Sequence, residues 1–402
     1  LLSLLLIATP LIKSVDLPVV GERLAIFEAI FVFCLVVFYL LTRDRDYTLV
    51  IPKSLLLLWL FLGIASISVL NSYDVILSIV NLLAILYFSL FLLILINVVN
   101  KKSSLHFFVN VYLISVLPVL IVGVVGIVSI LVGTNSIFVW GPTDRLIATF
   151  REPNQLPSYL LTIFPLVLLH PSRNENYQAR WVGNIAAILV LLLVIASGSD
   201  GSLAIFLGEF GLVAMYKVYV SDNDLSIFTI ISTSALAILS LTVVGTLSSL
   251  PEGVNASLEL FTRNSYSLKN ISPSRYKQFT QGFPFALQKH PLIGVGIGST
   301  GAFMKESLGG GGSIHNSYLG IIASTGLVGG AVFLTFLGSL IKTSARVLAN
   351  TTGNWRDLSA AIIIGFIGLL MYGMIIYGLR HRHLWIVFAF VMLLGQLSGS
   401  NE

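Results

Sequence analysis

Charge is scarce in this sequence: only 10% of its 402 residues are charged, 23 of them Lys or Arg and 18 Asp or Glu. A soluble protein of 43.7 kDa has a large surface to hydrate, and so few charged side chains cannot cover it. Cysteine is nearly absent too. Cys34 stands alone in an apolar run, which excludes a disulfide-stapled fold, and the low polarity excludes a disordered chain. No P-loop or nucleophile elbow occurs. The six histidines and one cysteine have no zinc-like spacing, so no protein-bound metal is predicted. What is abundant is apolar sequence, with 56% hydrophobic residues and a mean hydropathy of +0.94. The class left is a polytopic membrane protein, whose lipid-facing surface is apolar by necessity. Its net charge of +5 cannot be read as a nucleic-acid signature until the membrane has sorted the charges by side, and no nucleic-acid partner is predicted.

A helix needs about 20 apolar residues to cross the hydrocarbon core. About twelve candidate spans are present, near 1–12, 24–42, 54–70, 75–97, 106–132, 155–170, 181–197, 202–219, 227–250, 317–341, 358–378 and 383–399. Leu1–Ile12 is short, begins without Met and lacks a following cleavage site, so it reads as a trimmed first helix. The expected fold is an all-α integral membrane protein, because only helices satisfy their backbone groups in lipid. Residues 1–250 would carry spans one to nine. Residues 251–314 form a long external loop with short helices such as Ser274–Lys289, and residues 315–402 carry the last three spans, all in one membrane domain.

Basic residues orient the chain. With the N-terminus inside, eleven fall in cytoplasmic loops: Arg43, Arg45, Lys53, Lys101, Lys102, Arg173, Arg180, Lys217, Lys342, Arg346 and Arg356. The opposite short loops hold six, namely Lys13, Arg23, Arg145, Arg151, Arg380 and Arg382. This bias predicts cytoplasmic termini and places the long loop outside.

Positive charge on the external side then needs a reason. One group is Arg145 in Gly141–Arg145, followed by Arg151-Glu152-Pro153-Asn154. A second is Arg275 and Lys277, with Lys289 and His290 further on. The third is Arg380-His381-Arg382-His383. If the bundle brings these together they form a cationic pocket at the membrane surface, where the planar arginine fork suits phosphate oxygens. The plain alternative is that the side chains snorkel to lipid headgroups or pair with Asp144 and Glu152. Gly296, Gly298 and Gly301 spell a G-x-G-x-x-G, but without a βαβ context it is not a dinucleotide site. Those glycines read instead as tight turns near a ligand, and Gly309–Gly312 as a flexible segment or simple disorder. His315 opens a span, where its imidazole could orient or deprotonate a hydroxyl, although a histidine there, taken alone, is more often structural. Glu209, near the middle of a span, is either functional or a protonated residue bonded to a neighbour, and Glu28 lies nearer the interface.

At three places the residues resemble the bacterial O-antigen ligase and O-antigen polymerase superfamily. Arg275 with His290-Pro291-Leu292-Ile293-Gly294-Val295-Gly296 is similar to the family's arginine and His-Pro-Leu-hydrophobic-Gly-x-Gly signature. His315-Asn316-Ser317-Tyr318-Leu319, continuing to Thr325-Gly326-Leu327-Val328-Gly329, is similar to its His-Asn-x-x-Leu segment and trailing Thr-Gly-Leu-hydrophobic-Gly. Arg145 with Thr149-Phe150 and Pro153-Asn154 matches an upstream pattern, and the expected topology agrees along nearly the whole chain.

The resemblance implies a GT-C-like glycosyltransferase of the bacterial inner membrane, with its active site facing the periplasm. Its donor would be a polyprenyl-pyrophosphate-linked glycan, and its acceptor lipid A–core or another glycan. Because the anomeric carbon is already activated by pyrophosphate, neither cofactor nor metal is obligatory. Arg145 and Arg275 would hold the pyrophosphate and His315 would orient or deprotonate the acceptor. Arg151, Asn154, Asn316, Tyr318, Lys277 and Arg382 are candidates for binding substrate. There is one departure. Where many members carry Ser-Arg-Gly, this chain has Ser199-Asp200-Gly201, and a carboxylate repels pyrophosphate unless paired. Asp200 would pair with an arginine, contact a sugar or act as base. Ligase is narrowly preferred over polymerase and over transfer to protein hydroxyls. A lipid-linked glycan flippase coupled through Glu209 and a non-catalytic lipid-binding scaffold are the readings from other classes.

Overall fold

In a computed structural model, the structure describes residues 1–11, 26–43, 48–134, 136–141, 143–170, 177–220, 273–309 and 312–399. The expected span 227–250, the first part of the long loop, Lys13, Arg23, Arg45, Arg173 and Gly310–Gly311 lie outside the described residues, as does the side chain of Asp200. The described chain is almost entirely helical. One two-stranded hairpin interrupts it, pairing Val139 with Leu146 and Trp140 with Arg145.

Seven described helices are long and apolar enough to cross a membrane by length and composition: Lys53–Asn71, Val75–Val98, Lys102–Val132, Gln178–Ala196, Gly201–Val218, Ser317–Asn350 and Gly353–Gly373. Two shorter apolar helices, Gln155–Leu169 and Arg382–Ser398, coincide with further expected spans. Ile26–Arg43 is also helical, and the described part of the first expected span, residues 1–11, is helical over Leu2–Ile7. The chain is therefore a multi-pass membrane protein, with seven candidate spans by length and composition among the described residues.

The fold divides into two compact units. The first comprises Leu1–Asp46, Lys101–Thr262 and Leu348–Leu369. Its polar centre lies where the Lys102–Val132 span breaks at Ser115, between two helical stretches. The Ser115 hydroxyl bonds Tyr159 at 2.7 Å, and the Tyr112 hydroxyl bonds Thr162 at 2.7 Å, so the buried polar groups around the break are satisfied without water. At one end of this unit Lys102 lies 5.9 Å from the Trp355 ring, and the Tyr216 hydroxyl donates to Asp357 at 2.7 Å. The helix Asp200–Val220 runs from the turn at Ser197–Ser199 to that end. Lys102, Lys217 and Arg356, expected on one side of the membrane, thus share one end of the unit, opposite Arg145.

The second unit comprises Tyr47–Asn100, Arg263–Val347 and Leu370–Glu402. Asp74 accepts from the Leu77 amide at 2.8 Å and caps the helix Val75–Val98, a standard N-terminal device. Far along this helix, Asn97 fixes the chain entering Lys53–Ser68 by bonding both the amide and the carbonyl of Val50. The described part of the long loop is packed rather than loose. Ala286, Val295, Phe303, Met304, Ile314 and Ala323 form a buried apolar cluster to which the short helices Phe283–Lys289 and Thr300–Leu308 contribute.

Candidate functional site

In the first unit Arg145 sits on the second strand of the hairpin, where the chain turns tightly through Asp144, at φ 48°. Its Nε donates to the Ser197 carbonyl at 2.7 Å and its Nη2 to Asn154 Oδ1 at 2.9 Å. Ser197 follows the last turn of the helix Tyr177–Ala196, so the guanidinium meets a helix C-terminus, where carbonyls are short of donors and the dipole favours a cation. Charge-assisted bonds of this kind contribute about 1.5–3 kcal/mol each, enough to hold the side chain in place rather than leave it to snorkel. Three residues beyond Ser197, Asp200 begins the next helix. Arg145, Asn154 and the Asp200 turn are thus brought to one place. Arg151 is half-buried nearby in sequence, and its backbone amide donates to Gln155.

In the second unit His315 precedes the helix Ser317–Asn350. Its backbone N–H donates to Gln278 Oε1 at 3.1 Å, and its Nδ1 lies 3.2 Å from the same oxygen. The next three residues fasten the segment to 370–378. Asn316 caps the helix by accepting from the Leu319 amide at 2.9 Å and donates to the Met374 carbonyl at 2.9 Å. Ser317 donates to the Ile376 carbonyl and accepts from the Gly378 amide, while the Tyr318 hydroxyl donates to the Leu370 carbonyl at 2.6 Å. His315 therefore stands on a rigid platform.

That platform rests on a broken helix. Ser317–Asn350 is interrupted at Gly326, with φ 72° and ψ −177°. The Pro291–Ile297 segment docks against the break: the amides of Val295 and Gly296 donate to the Ala323 and Ser324 carbonyls, and the Leu327 amide donates to Pro291. A Cβ on Gly326 would collide with the Leu292 and Ile293 backbone, and one on Gly294 with Ser324 and Gly326, so both positions require glycine. The Ile297 amide goes to Ser68 Oγ at 3.2 Å. Gly294, Gly296 and Gly298 adopt the positive φ expected of tight turns, and with these amides committed to the scaffold the stretch also acts as a seam between chain segments.

Arg275 is half-buried and Lys277 exposed, on the short helix leading to Gln278. Lys289 lies 5.0 Å from the Tyr73 ring. The Arg380–His383 group divides: Arg380 is exposed and donates to Asn81 Oδ1 at 2.6 Å, whereas His381, Arg382 and His383 are buried. Burial pushes the His381 imidazole down to about 4, so it is neutral at physiological pH. Gln278 and Asn81 were not predicted. Asn81 carries a usable signal, an amide within an apolar span. Gln278 carries none beyond its place three residues after Arg275.

The helices and this polar platform define a class, a multi-pass membrane protein with ordered polar groups at the ends of its spans. Residues 185–334 match the family model described as O-antigen ligase, a stretch that contains Arg275, the His290–Gly296 signature and His315. Arg145 lies upstream of it. The match agrees with the superfamily resemblance in the sequence motifs and supports a membrane function of the O-antigen ligase or polymerase type. No curated protein matches the chain.

Proposed function

We propose that the protein is a glycosyltransferase of the bacterial inner membrane that moves a glycan from a polyprenyl-pyrophosphate donor to an acceptor hydroxyl on the periplasmic face. The observation that carries this reading is His315, held at the mouth of a span within the stretch matching the O-antigen ligase family. The acceptor oxygen attacks the anomeric carbon as the bond to the pyrophosphate oxygen breaks, and the His315 imidazole takes the hydroxyl proton. Such a base contributes about 10²- to 10⁴-fold. Arg145 and Arg275 stabilise the charge developing on the pyrophosphate. Asn154 orients Arg145, while Arg151, Lys277, Asp200, Asn316, Tyr318 and Arg382 contribute to substrate binding. Because the leaving group is already activated, turnover is expected to persist in EDTA.

Lipid A–core oligosaccharide is the acceptor we favour, which makes the protein an O-antigen ligase acting in lipopolysaccharide assembly. A second lipid-linked glycan would make it a polymerase. The test is reconstitution in proteoliposomes with donor and each acceptor in turn. Glycosylated lipid A–core together with free polyprenyl pyrophosphate is the expected result. If no acceptor gains sugar and no polyprenyl pyrophosphate is released, the transferase reading fails.

One observation favours a transporter as the second reading. Glu209 is fully buried in a span against Gly368, with no hydrogen-bond partner for either oxygen among the described residues. Movement of labelled lipid across liposomes that is abolished by Glu209→Gln and indifferent to His315→Ala would establish transport instead.

A further inference from the structure

Gln278 is 2% exposed and lies in a π-helical turn, Gln278–Gly282, between two short helices. Its neighbours Phe279 and Phe283 pack on the apolar cluster, where an amide is costly unless bonded. The bonds it makes are informative. A backbone N–H can only donate, so the Gln278 atom 3.1 Å from the His315 amide must be the carbonyl oxygen. The same oxygen lies 3.2 Å from the imidazole Nδ1, and an acceptor bonds there only if Nδ1 carries hydrogen. We infer that Gln278 is a positioning residue that locks His315 in the Nδ1–H tautomer, so that the basic lone pair is on Nε2.

The inference rests on the transferase reading for its consequence and on geometry alone for its content. Nε2 is the nitrogen that accepts the acceptor's proton, and Gln278 continues to accept from Nδ1–H when the ring becomes cationic. Gln278 does for this histidine what an orienting carboxylate does elsewhere, without adding charge to a site that must receive pyrophosphate.

The experiment uses the full-length protein with ¹⁵N-labelled histidine in lipid bilayers. The His315 resonances are assigned by difference against His315→Ala, and the imidazole nitrogen shifts report the tautomer. Wild type is expected to show Nδ1–H, and Gln278→Leu, which keeps bulk but removes the acceptor, to lose it. In the transfer assay Gln278→Leu is expected to lower kcat on the order of 10- to 100-fold with KM unchanged. Gln278→Glu, which still accepts from Nδ1–H but adds charge, should keep the Nδ1–H tautomer while restoring only part of kcat. An unchanged tautomer in Gln278→Leu overturns the inference, as does a raised KM with kcat intact. If wild type fails to transfer glycan, the functional reading falls, and the nitrogen shifts alone decide the role of Gln278.

Discussion

In the first unit a cation is held by side-chain bonds, Arg145 reaching across 52 residues to a carbonyl at a helix end and across nine to Asn154. In the second an imidazole is held by a backbone seam, in which Pro291–Ile297 pairs with both sides of the break at Gly326 and carries His315 on the helix so formed. The first arrangement depends on one guanidinium finding acceptors, so it can be weakened gradually. The second depends on two chain segments approaching more closely than any Cβ permits, so it holds or fails as a whole.

The largest expected effect is on that seam. Gly326→Ala adds backbone strain at positive φ to a collision with Leu292, and should destabilise the protein by about 3 kcal/mol or more. Thermal unfolding in detergent and yield in membranes would report it. Gly133, which ends a helix in the first unit at φ 71° with open space around it, provides the contrast. Gly133→Ala should cost only about 1 kcal/mol from strain. Equal losses at the two positions would break the comparison.

Arg145→Ala should reduce glycan transfer about 100-fold by removing stabilisation of the leaving group. Arg145→Lys should fall between that variant and wild type, because an ammonium cannot reproduce the planar fork that reaches the Ser197 carbonyl and Asn154 together. Rates for the two variants that coincide would show that the fork geometry is unimportant. The smallest effect concerns His381. Its folded pKa of about 4 lies below the ordinary value of 6.5, so the unfolded chain binds the extra proton between those values. Stability is therefore full above pH 6.5 and declines as pH falls toward 4. His381→Asn should flatten that part of the melting profile.

The helices were legible because apolar runs of span length have little alternative to membrane helix. Lys102, Lys217 and Arg356, three of the eleven basic residues read as lying on one side, share one end of the first unit. Arg145 and His315 stood out because they fall in the segments that resemble the O-antigen ligase and polymerase superfamily, not because a lone cation or imidazole at a span mouth marks a site. The partners of these residues were not legible. Gln278 lies 37 residues from His315, and nothing local distinguishes it from a surface glutamine. The division of Arg380–His383 escaped notice for a different reason. Arg380 precedes the helix and stays exposed, whereas His381 at its N-cap and Arg382 and His383 in its first turn are all buried, a boundary that no residue type in this basic run signals. The glycines of Gly294–Gly298 were legible as special backbone but not as a seam, because the segment's partners, such as Ala323, Ser324 and Ser68, are distant in sequence.

The central claim is that His315 is the base for glycan transfer, and the most direct test compares His315→Ala with wild type in proteoliposomes while donor binding is measured in parallel. The account predicts that release of polyprenyl pyrophosphate coupled to acceptor glycosylation slows by about 100-fold or more, with donor affinity little changed. Transfer at the wild-type rate by the alanine variant would contradict it.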